Sequence, residues 1–165
     1  MRPVPRLLAI SVVVACGKGG APAPLVISGD FSGDEFYREQ TCKGLGLEPH
    51  LAWSGAPVDT KTFAVVVEDL DSSPPGFIHW LVTDVPASSP TLTGHYPPEA
   101  KVSKNGFGDT GYGPPCPPSG KHRYVFHVYA LDTAVGKPDI TKPDLDAAIK
   151  GHVLAQGEMT KTYGK

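Results

Sequence analysis

The segment Thr62–Asp69, written TFAVVVED, constrains the fold more than any other part of the chain. Its apolar run is too short for a helix, is rich in β-branched residues and shows no polar alternation. A strand of that composition is covered on both faces. The turn Leu70–Gly76 (LDSSPPG) separates it from Phe77–Val85 (FIHWLVTDV), which Pro86 ends. Two such runs joined by a Pro- and Gly-containing turn read as an antiparallel hairpin. A third run, His122–Leu131 (HRYVFHVYAL), has the same character. The 19 glycines and 18 prolines of the 165-residue chain lie mostly between these runs, which assigns them to loops of a mainly β domain rather than to disorder. A chain of this length builds one domain with a core, not two.

Around these strands the pattern weakens. Leu25–Ser28 reads as a short strand, Asp30–Gly46 is polar and turn-rich, and Ala87–Gly120 is irregular, with Pro97-Pro98 and Pro114-Pro115 inside it. Pro143–Lys150 reads as a helix with proline in its first turn, and His152–Thr162 as a second short helix despite Gly157. A net charge of −2 gives no reason to expect a nucleic-acid partner.

Residues 1–15 have the form of a signal peptide. Arg2 and Arg6 precede the apolar run Leu7–Ala15, which would rise only about 14 Å as a helix, roughly half the hydrocarbon thickness of a bilayer. The run ends in Val13-Val14-Ala15-Cys16, which resembles the lipobox of bacterial lipoproteins. Cys16 is therefore expected to be lipidated, residues 16–24 (Cys16 and GKGGAPAP) to form a flexible linker, and residues 25–165 the folded domain. The expected location is the cell envelope, with the membrane contacted through the N-terminal lipid. Cys42 and Cys116 then remain as an even number in an oxidising compartment; a disulfide and two separate buried thiols are both open.

The hairpin brings the end of its first strand beside the start of its second, so Asp69 and Asp71 come near Ile78–Trp80. Strict alternation puts His79 on one face with Leu81 and Thr83, opposite Ile78 and Trp80. In the third run His122, Tyr124 and Phe126 share a face, with His122 at the strand's start. Where these polar ends meet, Asp69, Asp71, His79, His122 and Tyr124 form one cluster of imidazole and phenol donors suited to phosphate-like oxygens, with carboxylates orienting the imidazoles. Taken singly, the aspartates also suit Asx capping of the turn, and each aromatic residue suits a strand end or core.

Several motifs extend this reading: Thr41-Cys42-Lys43-Gly44, Glu48 through Gly55, Asp69-Leu70-Asp71, His79-Trp80, and Gly111-Tyr112-Gly113-Pro114-Pro115-Cys116-Pro117-Pro118 followed by Gly120-Lys121-His122-Arg123-Tyr124. Together they resemble the phosphatidylethanolamine-binding protein family, and within it the bacterial Raf-kinase-inhibitor-like branch, from about Leu25 to Lys165. The resemblance implies an antiparallel Greek-key β domain with a few peripheral helices. It also implies a small pocket for phosphate, acetate or a phosphoethanolamine-like headgroup. It assigns Asp69, Asp71, His79, His122 and Tyr124 to that pocket and Gly113 to Pro117 to the loop that closes it, with Gly113, Pro114 and Pro115 as ligand contacts. Two departures stand out. Leu70, Ser72 and Ser73 replace residues of the family's Asp-Pro-Asp-Ala-Pro, so the aspartate loop is expected to be looser. Pro114 stands where bacterial members often carry glycine, which removes an N–H that could face an anion.

These residues favour a non-catalytic binding protein for a small anionic ligand, with no cofactor. A serine hydrolase lacks its elbow, because Trp53-Ser54-Gly55 has no preceding glycine in the required place. A zinc enzyme lacks paired histidines, since His122 and His127 point to opposite strand faces; Asp69, His79 and His122 are the one set to consider for a metal. The other alternative is a protein-interaction module that inhibits a protease or signalling enzyme through the Ala87–Gly120 loops.

Overall fold

The computed structural model describes residues 23–164; the expected signal peptide, residues 1–15, and Cys16 lie outside the described residues. In chain order the elements are β1 (Ala23–Pro24), β2 (Val26–Gly29), a 3-10 turn (Arg38–Gln40), β3 (Leu51–Ser54), β4 (Thr62–Asp69), β5 (Phe77–Pro86), β6 (Thr91–Leu92), β7 (Lys101–Val102), β8 (Lys121–Leu131), α1 (Lys142–Ile149) and β9 (Val153–Gly164). Six strands form one sheet in the order β1-β9-β8-β4-β5-β7, and β2-β3-β6 form a second. All pairings are antiparallel except β1 with β9. The run β8-β4-β5-β7 has Greek-key order, the fourth strand returning by a long connection to lie beside the first.

The apolar run of β4 is explained by its position. Phe63, Val65 and Val67 enter a core shared with Trp80 and Val82 of β5, Phe126 and Val128 of β8, and Leu51, Trp53 and Leu92 of the small sheet. Ala64 and Val66 face the other way, into a second cluster with Leu81, Leu131, Ile140 and the α1 residues Leu145 and Ile149. Both faces of the strand are covered, as its composition requires. Helix α1 lies one residue from its expected start and is capped by Thr141. The Thr141 side chain accepts from the Asp144 N–H (3.3 Å), while the Asp144 carboxylate accepts from the Thr141 N–H (3.0 Å).

Three expectations are corrected. The second helix, His152–Thr162, is instead strand β9, paired with β8 along almost its whole length. Its alternation is legible afterwards: Ala155, Met159 and Tyr163 pack on the core, whereas Gln156, Glu158 and Thr160 are exposed. Gly157 breaks no helix. A Cβ there would come within 2.5 Å of the Leu25 carbonyl oxygen, so glycine admits the crossing chain. Ala23 and Pro24, expected in the linker, are instead strand β1 and pair with Ala155 and Gln156. Finally, Ala87–Gly120 contains two short strands, β6 and β7, and a further short strand, β3, went unpredicted.

Cys42 and Cys116 are joined in a disulfide, with Cα atoms 5.4 Å apart across 74 positions of sequence. In the chain-entropy description, closing a loop of that size contributes about 4 kcal/mol by restricting the unfolded chain. Unreduced protein should therefore yield no alkylated Cys42 or Cys116 by mass spectrometry. The Cys42→Ala/Cys116→Ala double variant should unfold at lower denaturant, by up to that amount.

Candidate functional site

Strand β4 lies between β5 and β8, and its last residue sets the site. Asp69 pairs in register with Phe77 on one side and Tyr124 on the other, so three polar strand ends meet at one edge of the sheet. The Asp69 carboxylate is almost fully buried and divides its work. Oδ1 accepts the Asp71 N–H (2.9 Å), and Oδ2 accepts the His122 Nδ1–H (2.7 Å). Turn capping and histidine orientation, alternatives in the sequence, are thus two halves of one group.

His79 reaches the cluster by a route that alternation did not show. Val67 pairs with Trp80 but Glu68 with Ile78, leaving His79 as the extra residue of a β-bulge. It faces the core side beside Trp80, not the Leu81 side, and its ring packs at 5.1 Å from that of Tyr124. A reciprocal clamp holds it: the Gly113 N–H donates to the His79 carbonyl, and His79 Nδ1 donates to the Gly113 carbonyl, both at 2.7 Å. Burial pushes the His79 pKa down; the bond to Gly113 and the charge of Asp69 oppose that without reversing it.

These residues line a cavity of about 330 Å³ together with Asp71, Ser72, Ser73, Phe77, Phe107, Cys116, Pro117, Pro118 and Ser119. Tyr124 is fully buried and its hydroxyl has no protein partner. Burial first, and Asp69 second, push its ionisation above the ordinary tyrosine range, so it stays a neutral hydroxyl. Asp71 does not orient a histidine. It accepts from the Arg123 backbone N–H (2.8 Å), Nε (2.9 Å) and Nη2 (2.7 Å), and the guanidinium bonds hold its pKa down to about 2.

The aspartate loop is tied rather than loosened by its departures. The Leu70 N–H donates to the Arg123 carbonyl at 2.9 Å, a bond proline could not make, and Ser72 Oγ bonds the Asp69 and Pro74 carbonyls. Gly113, Pro114 and Pro115 are outside the cavity lining, Gly113 acting on it through His79. Pro114 lies against Gly46 and the Pro115 carbonyl accepts from the Cys42 N–H (3.2 Å), so the lost N–H at 114 faces no anion site. The expected closing loop lines the cavity only at Cys116 and Pro117, and the wall runs on to Ser119, anchored at Cys116 by the disulfide. Sequence reasoning assigned no role to Phe77, Phe107 and Ser119. Pro117 and Pro118 stood in the quoted motif, but nothing in the sequence marked Phe107. Among the described residues no group of three or more His, Cys, Asp or Glu is placed to hold a metal ion.

The family model for phosphatidylethanolamine-binding proteins matches residues 28–164. A protein of Aquifex aeolicus known only as a UPF0098 protein is 34% identical over 154 residues, covering 88% of this chain and 90% of its own. A UPF0098 protein of Chlamydia trachomatis is 36% identical over 134 residues, 78% of this chain and 89% of its own. Among solved structures, a phosphatidylethanolamine-binding protein homologue from Chlamydia trachomatis superposes with a TM-score of 0.79 at 33% identity, covering 86% of this chain and 98% of that one. YbcL of E. coli, described as a member of the mammalian family, gives 0.76 at 30% identity, covering 87% and 99%. The chain belongs to the phosphatidylethanolamine-binding protein family.

Proposed function

We propose that this chain is a non-catalytic binding protein whose cavity takes a small anion of phosphate or phospholipid-headgroup type. One observation carries the reading. His79 and His122 are each fixed through Nδ1, to a carbonyl and to a carboxylate, which leaves both Nε2 atoms for a ligand beside the unpartnered Tyr124 hydroxyl. A buried hydroxyl without a partner costs stability, and a ligand oxygen would satisfy it. The same groups give little support to catalysis: Ser72 Oγ is engaged by two carbonyls, and Cys116 is held in a disulfide. By its motifs from Gly111 to Tyr124 we place the chain in the bacterial Raf-kinase-inhibitor-like branch.

Removing one charge-assisted donor from such a site costs roughly 1.5–3 kcal/mol, or ten- to a hundredfold in affinity. His122→Ala should weaken phosphate-type binding by that factor, and His79→Ala/His122→Ala should abolish it. His127, which stacks on Tyr129 and pairs with Glu158 on the opposite sheet face, is the control. Calorimetry giving the double variant wild-type affinity would overturn the anion site and leave the protein-interaction reading in front.

The tautomers also fix the sign of a pH dependence. A carbonyl and a carboxylate only accept, so each Nδ1 carries its hydrogen, and each neutral ring presents a lone pair at Nε2. That lone pair repels an anion until it is protonated. Because burial disfavours the protonated His79 ring, an anion held at its Nε2 favours proton uptake there, and affinity should fall as pH rises. Glutamine donates an amide N–H at any pH, so His79→Gln should flatten the profile. An affinity independent of pH in the wild type would remove His79 from the ligand's contacts.

We also propose an exported lipoprotein at the cell envelope. The residues behind this are Arg2, Arg6, the Leu7–Ala15 run and Cys16, and the Cys42–Cys116 disulfide suits an oxidising compartment. Cys16→Ser should leave the membrane fraction or accumulate as precursor. If it matures and partitions like the wild type, the anchoring proposal fails.

A further inference from the structure

The anion reading uses the polar end of the cavity and leaves its other end unexplained. There Phe77 and Phe107 stand edge to face with ring centres 4.7 Å apart, and the His79 ring lies 4.9 Å from Phe77 and 5.6 Å from Phe107. Phe107 is 53% exposed, an unusual fate for phenylalanine, yet its loop is firmly built. The buried Asn105 side chain donates to the Gly111 carbonyl (3.0 Å) and accepts from the Phe107 N–H (2.9 Å) and the Asp109 N–H (3.3 Å). The Gly106 N–H donates to the Ile78 carbonyl at 2.7 Å.

Two glycines seat the rings. A Cβ on Gly106 would lie 2.6 Å from the Phe77 ring, and one on Gly113 would lie 2.8 Å from the Phe107 ring. Any larger residue at either place would push a ring out of position. Gly113 also supplies the carbonyl that holds His79, so one residue positions both the imidazole and the aromatic wall. A half-exposed ring held by a buried polar side chain and by glycines cut to its shape is a prepared surface, not a frayed loop.

From this arrangement we infer that the ligand is an anion carrying a planar apolar group close to its charged centre, and that Phe77 and Phe107 form the subsite for that group. This rests on the anion site proposed above and names the other half of its ligand. Both phenyl rings pack on the His79 ring itself, at 4.9 and 5.6 Å, so a group carried beside an anion at His79 meets them. An ammonium group in the same place would lack a free counter-charge. Asp71 is taken by Arg123, and Asp69 by His122 and the Asp71 N–H.

The test compares inorganic phosphate, phosphoethanolamine and phenyl phosphate by calorimetry on the exported domain with its disulfide intact. Aromatic contact at a partly desolvated wall should make phenyl phosphate bind about tenfold more tightly than phosphoethanolamine. In Phe107→Ser that ratio should fall towards one, and Phe107→Tyr should restore it. Thermal unfolding of both variants checks that the loop change has not unfolded the domain. Equal affinity for the two esters, a preference for phosphoethanolamine (an ammonium held over the Phe107 face), or a ratio unmoved by Phe107→Ser would each overturn the aromatic subsite while leaving the anion site standing. If none of the three probes binds the wild type, the anion site itself fails and the subsite with it.

Discussion

The site depends on one carboxylate. Asp69 closes the central strand of the sheet, and its two oxygens tie the following turn to itself and the His122 ring to the strand beside it. Its position follows from the fold. Only a strand with neighbours on both sides can bring residues from a hairpin and from a distant return strand to one point, and β4 has β5 on one side and β8 on the other. The apolar run before it buries both faces of β4, so the end of the strand cannot shift relative to its partners without disturbing two core clusters.

How much of this was legible in the sequence depended on how local the cause was. The hairpin, the third strand and the helix were visible because apolar runs, Pro-Gly turns and a proline in a helix's first turn act within a few residues. The convergence of Asp69, His79, His122 and Tyr124 was visible because strand ends meet predictably in a hairpin and its neighbour. The face of His79 was not, since a bulge at that residue breaks the two-residue period, and nothing in FIHWLVTDV marks where the extra residue falls. Strand β9 was misread because Gly157 hides a period-2 pattern that its pairing with β8 makes plain. Gly113, Pro114 and Pro115 were assigned to the pocket by resemblance, but the part of that loop that lines the cavity starts at Cys116 and runs on to Ser119. Phe107 left no trace at all: its role depends on Asn105, Gly106 and Gly113, whose significance is steric and three-dimensional.

One wall of the cavity, unlike the strand ends, is not held through the core. The segment from Gly113 to Ser119 has no regular strand or helix, yet three attachments fix it: the clamp with His79, the bond from Cys42 to Pro115, and the disulfide at Cys116. Two of the three run to the Cys42 segment, which is far away in sequence. An irregular loop held in this way keeps its shape without the ladder of a sheet, and it can therefore present prolines and a serine to a ligand at a fixed place.

Charge then decides what kind of binder such a cavity makes. Two carboxylates, Asp69 and Asp71, line it, and Arg123 is aimed at Asp71 rather than at the interior. Among the described residues no guanidinium or ammonium group lines the space, so positive charge from them has to come from imidazole. A site with a permanent cation holds its anion at every pH and discriminates weakly among anions of similar charge. A site whose positive charge appears only on protonation of His79 or His122 gains less from net attraction, and must draw affinity from shape: the buried Tyr124 hydroxyl at one end and two phenyl rings at the other. Under the proposed reading, the weak electrostatics and the aromatic wall are therefore parts of one arrangement, in which the uncharged portion of the ligand supplies the selectivity that the anion cannot.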